Sequence, residues 1–315
     1  MQNQIANYVS KKLMVWSAVV GMVLAVGMLA EGQTYVYRTV EMPGAVVTRA
    51  FCNNNSGQII GRHDTDLQFS GSYGYVLTQG VFKKIAYPGA AITIAACANN
   101  NGEVVGGYLD SQGVSHGFLL KGSTYKPLNY PGAVSTFAET INKNGIIVGS
   151  YTDATSTHGF ILQGHNNYKT TDFPGAAGSY ANTINDAGQI VGEYSLTDPN
   201  VNTGIHGYFM SGNNFTTIDF PGAQDTEAQG LNNNGQIVGD YIDSSGNEHG
   251  FSYVNGVYQS IDFPGAAKTI AFEVNDSGQI VGDYANQDYT YNFHGYLGVP
   301  IPGTEQRAQR SGSRR

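Results

Sequence analysis

The sequence predicts an all-β protein, a six-bladed β-propeller with four strands per blade whose ring closes when the N-terminal strand joins the C-terminal blade. The triplet PGA occurs six times, at spacings of 45, 43, 43, 47 and 43 residues. Each interval holds four short β-prone runs, and the incomplete repeats at the two ends of the chain complement each other. A four-stranded repeat of roughly 43 residues has the size of one propeller blade.

The register around each repeated proline is fixed. The prolines are Pro43, Pro88, Pro131, Pro174, Pro221 and Pro264. Seven residues after them come Ala50, Ala95, Ala138, Ala181, Ala228 and Ala271, and eleven residues after them come Asn54, Asn99, Asn142, Asn185, Asn232 and Asn275. We expect the alanine on the innermost strand, because the blades converge there and a larger side chain would clash.

Each of these asparagines begins an N-x-x-G turn, such as Asn185 to Gly188. Glycine supplies a positive φ and asparagine tolerates the left-handed conformation, so a tight hairpin is predicted between the first and second strands. The PGA triplet interrupts the fourth strand and lets the chain cross to the next blade.

The two ends of the chain predict how the array closes. The first repeat begins at its fourth strand, Tyr35 to Met42, and the last repeat stops after its third strand, His294 to Leu297. Pairing these pieces completes one blade and removes exposed sheet edges. An open β-solenoid is the alternative, but complementary incomplete repeats at the two ends would not stabilise it.

Residues 1–32 differ from the rest of the chain. Lys11 and Lys12 precede an uncharged apolar run over 13–30. This is typical of a secretory signal peptide, and it is also just long enough for an uncleaved membrane anchor. We therefore divide the chain into this leader, six repeats over 33–299 and a disordered basic tail over 300–315. The repeats are expected outside the cell or in the periplasm, and at a membrane only if the leader is retained.

The repeat region is acidic. Between Gln33 and Thr304 there are 10 Lys or Arg against 22 Asp or Glu, a formal charge of −12, which argues against nucleic acid as a partner. The motifs G-x-x-x-x-G-K and H-E-x-x-H do not occur. We therefore assign no catalytic residue and no cofactor, and we expect a monomer that is not an enzyme.

Two cysteines occupy one repeat position on neighbouring inner strands. Cys52 and Cys97 each lie nine residues after a repeated proline. In an exported chain they could form a disulfide, or they could be two small buried side chains at a position that holds Thr140, Thr183 and Gly230 elsewhere. The bond would require Cα atoms within about 7 Å of each other.

A histidine begins the predicted third strand in five of the six repeats. The series is His116, His158, His206, His249 and His294, with Tyr73 in the equivalent first slot. A zinc site needs ligands about 2 Å from one ion, and these residues lie away from the axis, so we predict no metal site. Each imidazole is instead interpreted as scaffold, bonded to a backbone group.

Other polar residues are interpreted as solvent-facing. His63 and His165 stand outside the histidine series and are interpreted as loop residues. Asp172, Asp219 and Asp262 recur two residues before a proline, but Ala86 and Asn129 fill the same slot in other repeats. This pattern is typical of a solvated strand end.

A binding function is expected where the repeats differ. The loops between the second and third strands vary in length and share one face with the PGA crossovers, and we call this the loop face. Its polar and aromatic side chains suit a sugar or a protein ligand. The predicted binding residues are Asp64, Asp66, Asp153, Asp198, Asp243, Asp288, Tyr289 and Tyr291.

The repeat resembles that of the bacterial extracellular HAF-repeat family. The resemblance runs from Tyr35 to Leu297 and rests on HGF, a strand ending in DFPGA, and IN-x-x-G-QIVG-x-Y, although the name-giving HAF is His-Gly-Phe or His-Gly-Tyr here. It implies export and repetition but transfers no site residue. We expect a non-catalytic interaction module that binds a glycan or a protein through the loop face. A propeller-type glycan hydrolase or lyase and a structural protein of an envelope or matrix are the alternatives.

Overall fold

A computed structural model describes residues 33–66, 71–197, 204–286 and 293–302 of the chain. The regular structure in these ranges consists of β-strands, as the predicted all-β class requires. None of the described segments forms a helix long and apolar enough to cross a membrane. The leader over 1–32 and most of the basic tail lie outside the described residues.

The strands form four-stranded antiparallel units, numbered here by the order of their inner strands. Units 1 and 2 contain β2 (Val47–Asn53), β3 (Ile59–Asp64), β4 (Ser72–Thr78), β5 (Val81–Ile85), and β6 (Ile92–Ala98), β7 (Val104–Leu109), β8 (Ser115–Lys121), β9 (Thr124–Leu128). Units 3 and 4 contain β10 (Ser135–Ile141), β11 (Ile147–Thr152), β12 (Thr157–Leu162), β13 (Tyr168–Thr170), and β14 (Gly178–Ile184), β15 (Ile190–Ser195), β16 (Ile205–Ser211), β17 (Asn214–Ile218). Units 5 and 6 contain β18 (Asp225–Leu231), β19 (Ile237–Ile242), β20 (Glu248–Val254), β21 (Val257–Ser260), and β22 (Lys268–Val274), β23 (Ile280–Ala285), β24 (Phe293–Pro300), β1 (Tyr35–Val40).

Units 2 to 5 are separate sheets, whereas units 6 and 1 share one eight-stranded sheet. The link between these two units is a single parallel residue pair, Thr48 with His294. The N-terminal strand β1 pairs antiparallel with the C-terminal strand β24, from Tyr35 opposite Pro300 to Val40 opposite Gly295. β1 is two residues shorter than predicted, and β24 extends beyond the predicted strand at both ends. β1 ends at Val40 because the PGA turn begins at Met42, whose backbone N–H donates to the Thr48 hydroxyl at 2.9 Å.

The repeated asparagines link neighbouring units. In unit 4 the Asn185 Oδ1 accepts backbone hydrogen bonds from Ala187 and Gln189, and its Nδ2 donates to the carbonyl of Asn232 in unit 5 at 3.3 Å. The same bond between units occurs at every repeat, and the bond from Asn275 to the carbonyl of Asn54, at 3.5 Å, returns the series to its first member. We call these six residues the asparagine ring.

The expected hairpin turn therefore forms, but its asparagine does not adopt the left-handed conformation. Positive φ is confined to the glycine of each N-x-x-G turn, with values between 72° and 81°. The asparagine is needed for its side chain, which closes its own turn and reaches the next unit.

The repeated alanines lie on the inner strands and are completely buried. Five of them pack against a glycine in the third strand of the preceding unit, as Ala95 does against Gly74 and Ala228 against Gly207. A Cβ atom placed on Gly74 would lie 2.7 Å from the Ala95 Cβ. Adjacent units therefore approach too closely for any larger side chain at either position.

One layer of inner-strand side chains lies near the asparagine ring, and we call it the axial layer. Its members are Cys52, Cys97, Thr140, Thr183, Gly230 and Glu273, one from each unit. Cys52 and Cys97 form a disulfide with their Cα atoms 5.1 Å apart. The Thr183 hydroxyl donates to the Glu273 Oε2 at 2.9 Å. A Cβ atom on Gly230 would lie 2.9 Å from the Glu273 Oε1, so the glycine makes room for this carboxylate.

Two inner-strand carboxyl groups are fully enclosed by the fold. Burial raises the pKa of Glu139 and the pKa of Glu273 from their ordinary value of 4.5 to about 8. Both carboxyl groups are therefore largely protonated at neutral pH, because desolvation disfavours the charged form.

Replacing a ring asparagine should destabilise the fold. Asn185→Ala removes two bonds that close its turn and one bond to unit 5, so we expect the free energy of unfolding to fall by about 1–3 kcal/mol. The measurement is the urea midpoint. Asn213→Ala, at an exposed turn residue, is the control and should change it little. Equal effects of the two variants would contradict the role assigned to the ring.

Stability should also decline as the pH rises. Unfolded Glu139 and Glu273 ionise above pH 4.5 whereas the folded groups keep their protons up to about pH 8, so folding is penalised progressively between these values. The penalty is on the order of a few kcal/mol for each group. We expect Glu139→Gln and Glu273→Gln each to reduce the loss of melting temperature between pH 5 and pH 9. Glu103→Gln should not, because hydrogen bonds from Lys121 and Asn99 lower the pKa of Glu103.

Candidate functional site

Three aromatic rings stack at the loop face of five units. In unit 3, His158 at the start of β12 lies opposite Tyr151 of β11, with ring centroids 5.0 Å apart. Tyr151 stacks in turn on Tyr130, the residue before the crossover proline, at 3.6 Å. Equivalent stacks form around His116, His206, His249 and His294. Since the crossover residue leads from the preceding unit, each stack also joins two units.

The ring nitrogens of the histidines face polar side chains. His158 Nδ1 lies 2.8 Å from Asp172 Oδ2, and its Nε2 lies 3.4 Å from Asp153 Oδ2. In unit 5, His249 Nδ1 lies 3.1 Å from Asp262 Oδ2, and its Nε2 lies 3.6 Å from Asp243 Oδ2. We call each such histidine, with its polar partners and its stacked tyrosine, a histidine cluster.

The other three units with a histidine follow the same plan. His116 lies between Asn129, at 2.9 Å, and Asp110, at 3.1 Å. His206 Nδ1 lies 2.9 Å from Asp219, and His294 Nδ1 lies 2.9 Å from Glu41, which follows the N-terminal strand β1. The loops at 198–203 and 287–292 in these last two units lie outside the described residues.

The predicted backbone partner of the histidines was therefore wrong. The fourth strand returns beside the third, so the side chain two residues before the crossover proline reaches the imidazole. For the same reason Asp172, Asp219 and Asp262 are not simply solvated strand ends, although 31% to 42% of each side chain is exposed. Ala86 fills this slot in unit 1, the unit whose third strand begins with Tyr73 instead of histidine. This covariation is the sequence signal that would have identified the pairing.

In unit 1 the histidine and the tyrosine of the cluster change places. His63 lies in β3 at the position that holds tyrosine in the other units, opposite Tyr73 of β4, and the ring centroids are 5.3 Å apart. The interpretation of His63 as a loop residue was wrong, because it is a buried strand residue. His165 does lie in an exposed bend, where its Nδ1 is 3.0 Å from Lys126 Nζ.

The predicted binding residues divide into four groups. Asp153 and Asp243 belong to histidine clusters. Asp64 is completely buried, bound to Arg62 and to the Ser72 hydroxyl, so it cannot meet a ligand and its assignment was wrong. Asp66 is half-buried beside the undescribed residues 67–70. The remaining four, Asp198, Asp288, Tyr289 and Tyr291, lie outside the described residues.

Two of the three loop aspartates in the histidine clusters are strongly acidic. The hydroxyl and backbone N–H of Thr155 lower the pKa of Asp153 to about 2. The backbone N–H and side-chain amide of Asn247 lower the pKa of Asp243 to about 2. Both therefore carry a full negative charge at neutral pH next to an imidazole and an aromatic ring, which suits hydrogen bonding to sugar hydroxyls.

A second polar group lies on the inner strand of unit 5 and was missed from the sequence. Gln229 Nε2 donates to Glu227 Oε2 at 2.9 Å and lies 3.4 Å from Asp240 Oδ1. At the equivalent inner-strand positions Phe51, Ile94, Ala96, Phe137, Ile270 and Phe272 form an apolar cluster, whereas Arg49, Glu139 and Asn182 are polar. Comparison between repeats would have shown that unit 5 carries an acidic or amide side chain at both positions.

Comparison with solved structures shows the fold. No protein-family profile and no curated sequence matches the chain. The SapL1 lectin in complex with α-methyl fucoside is similar at TM-score 0.51 and 12% identity, over 82% of this chain and 97% of that chain. The Hadza microbial sialidase Hz136 is similar at TM-score 0.52 and 9% identity, over 82% of this chain and 66% of that chain. A protein of unknown function from Dyadobacter fermentans DSM 18053 is similar at TM-score 0.50 and 13% identity, over 84% and 99%. The fold is therefore of the β-propeller type.

Removing one cluster histidine should weaken the fold modestly. His158→Ala leaves Asp172 without its imidazole partner and uncovers Tyr151, so we expect a loss of about 1–2 kcal/mol in the free energy of unfolding. Urea denaturation measures this change. His165→Ala is the matched control at an exposed bend, and a larger loss from the control would contradict the assignment.

Proposed function

We propose that the chain is a glycan-binding module that acts through its loop face. The observation that carries the proposal is the repetition of the histidine cluster in five units, with donors, acceptors and an aromatic ring at the surface each time. Between 12% and 34% of each histidine side chain is exposed. Weak sites repeated on one surface can bind a branched or clustered glycan with an avidity far above that of one site.

We infer in addition that the six units are the blades of a closed ring. The series of asparagine bonds that returns from Asn275 to Asn54 supports this closure, as does the pairing of β1 with β24. The buried ion pair between Arg49 of unit 1 and Asp283 of unit 6 adds a contact at the same junction. A closed ring would hold all five histidine clusters on one surface.

Other features agree with a secreted lectin-like protein. The lectin similar in fold is in complex with α-methyl fucoside, so fucosides are the first ligands to test. The leader over 1–32 and the resemblance to the HAF-repeat family support an extracytoplasmic location. We propose that the module is monomeric and acts without catalysis or a cofactor.

A glycan array probed with the full chain tests this function. We expect binding to a restricted set of glycans and a reduction of about 10-fold or more when His158→Ala and His249→Ala are combined, because two of the repeated sites are then lost. His165→Ala should bind as the wild type does. Failure of the folded chain to bind any glycan, or binding that the double variant leaves unchanged, would contradict the proposal.

A glycan hydrolase or lyase is the second candidate, and one observation favours it. Glu227 and Asp240 lie on either side of the Gln229 amide, and paired carboxylates are the usual catalytic groups of glycoside hydrolysis. The fold similarity to a sialidase is compatible with this. Against it, Asp240 and Gln229 are buried, with 5% and 9% of their surface exposed.

Release of a chromophore from aryl glycosides distinguishes the two candidates. The module proposal expects no turnover above background by the wild type. Turnover that Glu227→Gln and Asp240→Asn each abolish, while glycan retention persists, would favour the hydrolase instead.

A further inference from the structure

The axial layer borders a small cavity on the face opposite the loop face. This cavity has a volume of about 80 Å³ and is lined by Cys52, Cys97, Glu273 and the asparagine ring. It is too small for a sugar, since ligand pockets usually reach about 300 Å³ or more. It can hold a few water molecules or a metal ion with a water ligand.

Three side chains of metal-binding type converge at this cavity. One ligand atom from each of Cys52, Cys97 and Glu273 lies within 4.8 Å of the other two. All three residues are buried, and the described residues contain no other such group of three. Two sulfurs and one carboxylate oxygen form a donor set that suits zinc and related divalent ions.

The neighbouring residues hold the carboxylate in place. Glu273 Oε1 accepts backbone hydrogen bonds from Leu231 at 3.2 Å and Val274 at 3.0 Å, while Oε2 accepts from the Thr183 hydroxyl. Gly230 leaves the space that the carboxylate occupies. The carboxylate is therefore positioned by unit 4 and unit 5 before any ligand arrives, which lowers the cost of ordering a site.

The disulfide decides whether the sulfurs can bind a metal. A phosphine reductant supplies two electrons to the S–S bond and becomes a phosphine oxide, while one water molecule supplies its oxygen and both thiol protons. A divalent cation then displaces the two thiol protons and the proton of the Glu273 carboxyl group to solvent, because the thiolates and the carboxylate are the ligands. Metal–sulfur bonds of about 2.3 Å in a tetrahedral site need sulfurs roughly 3.8 Å apart, and Cα atoms at 5.1 Å accommodate that separation.

We propose that reduction of the Cys52–Cys97 disulfide converts the axial layer into a binding site for one thiophilic divalent cation, such as Zn²⁺, held by the two cysteine sulfurs and the Glu273 carboxylate. Water in the cavity fills the fourth position. The site lies away from the loop face, so it is independent of the proposed glycan binding. The oxidised chain has no such site, since neither disulfide sulfur is a thiolate.

The test uses the full chain and Co²⁺ as a spectroscopic probe, without oxygen. After reduction with the phosphine, we expect a single equivalent of Co²⁺ to bind and to produce the intense near-ultraviolet absorption of thiolate-to-cobalt charge transfer. Zn²⁺ should displace the cobalt and remove this absorption. The untreated disulfide form should show neither effect.

Variants locate the ligands. Cys52→Ser should weaken binding by about 100-fold and remove most of the charge-transfer absorption. Glu273→Gln should weaken binding by about 10-fold. Glu139→Gln is the matched control, because it removes another buried inner-strand carboxyl group and should leave the affinity unchanged.

Circular dichroism shows whether the reduced chain stays folded. If reduction unfolds the chain, restoration of the β-sheet spectrum by stoichiometric Co²⁺ would support the site. Absence of the charge-transfer absorption would overturn the proposal, whether the reduced chain stays folded or remains unfolded with the metal present. Cobalt binding that is equally strong in Cys52→Ser would overturn it as well.

Discussion

The hydrogen bond from each ring asparagine to the carbonyl of the next one is the interaction on which the other features depend. One four-stranded unit cannot bury both of its faces, and it becomes stable only when it packs between two neighbours. The asparagine fixes the turn of its own unit with its carbonyl oxygen and the position of the next unit with its amide nitrogen. One asparagine per repeat thus stabilises its own turn and fixes the position of the next unit.

The two ends of each unit carry different kinds of side chain. Near the asparagine ring the side chains of the axial layer are short, and a disulfide, two threonines, a glycine and a buried carboxyl group lie there. At the loop face, each crossover aromatic ring packs on the tyrosine of the next unit and leaves the histidine on top, partly exposed. The scaffold therefore presents the same polar and aromatic group at the surface of five units, and the loop aspartates vary its chemistry from one unit to the next.

Much of the architecture follows from the repeat itself. The spacing of PGA predicts the units, and the alanine that never varies predicts the close approach later found between Ala95 and Gly74. The pairing of β1 with β24 was predicted from the phase of the two ends. The role of the ring asparagine was not, because its important bond reaches a residue more than 40 positions away. No local turn preference contains that information.

The candidate site was harder to predict for a related reason. The partner of His158 lies 14 residues further along the chain and becomes a neighbour only through the pairing of β12 with β13. The sequence suggested that Asp64 is a surface carboxylate, but Asp64 is buried in an ion pair with Arg62. Variation between repeats pointed to Asp153 and Asp243, and both lie in histidine clusters. The same criterion was wrong for Asp64, a varying residue that neutralises the buried charge of Arg62.

A crystal structure of the chain grown with the glycan that the array ranks highest is the most direct test of the proposed binding face. We expect the glycan to lie on the loop face, with its hydroxyls bonded to a histidine cluster such as His158 and Asp153. A glycan bound beside Glu227 and Asp240 at the inner strand of unit 5, with the loop face empty, would contradict it.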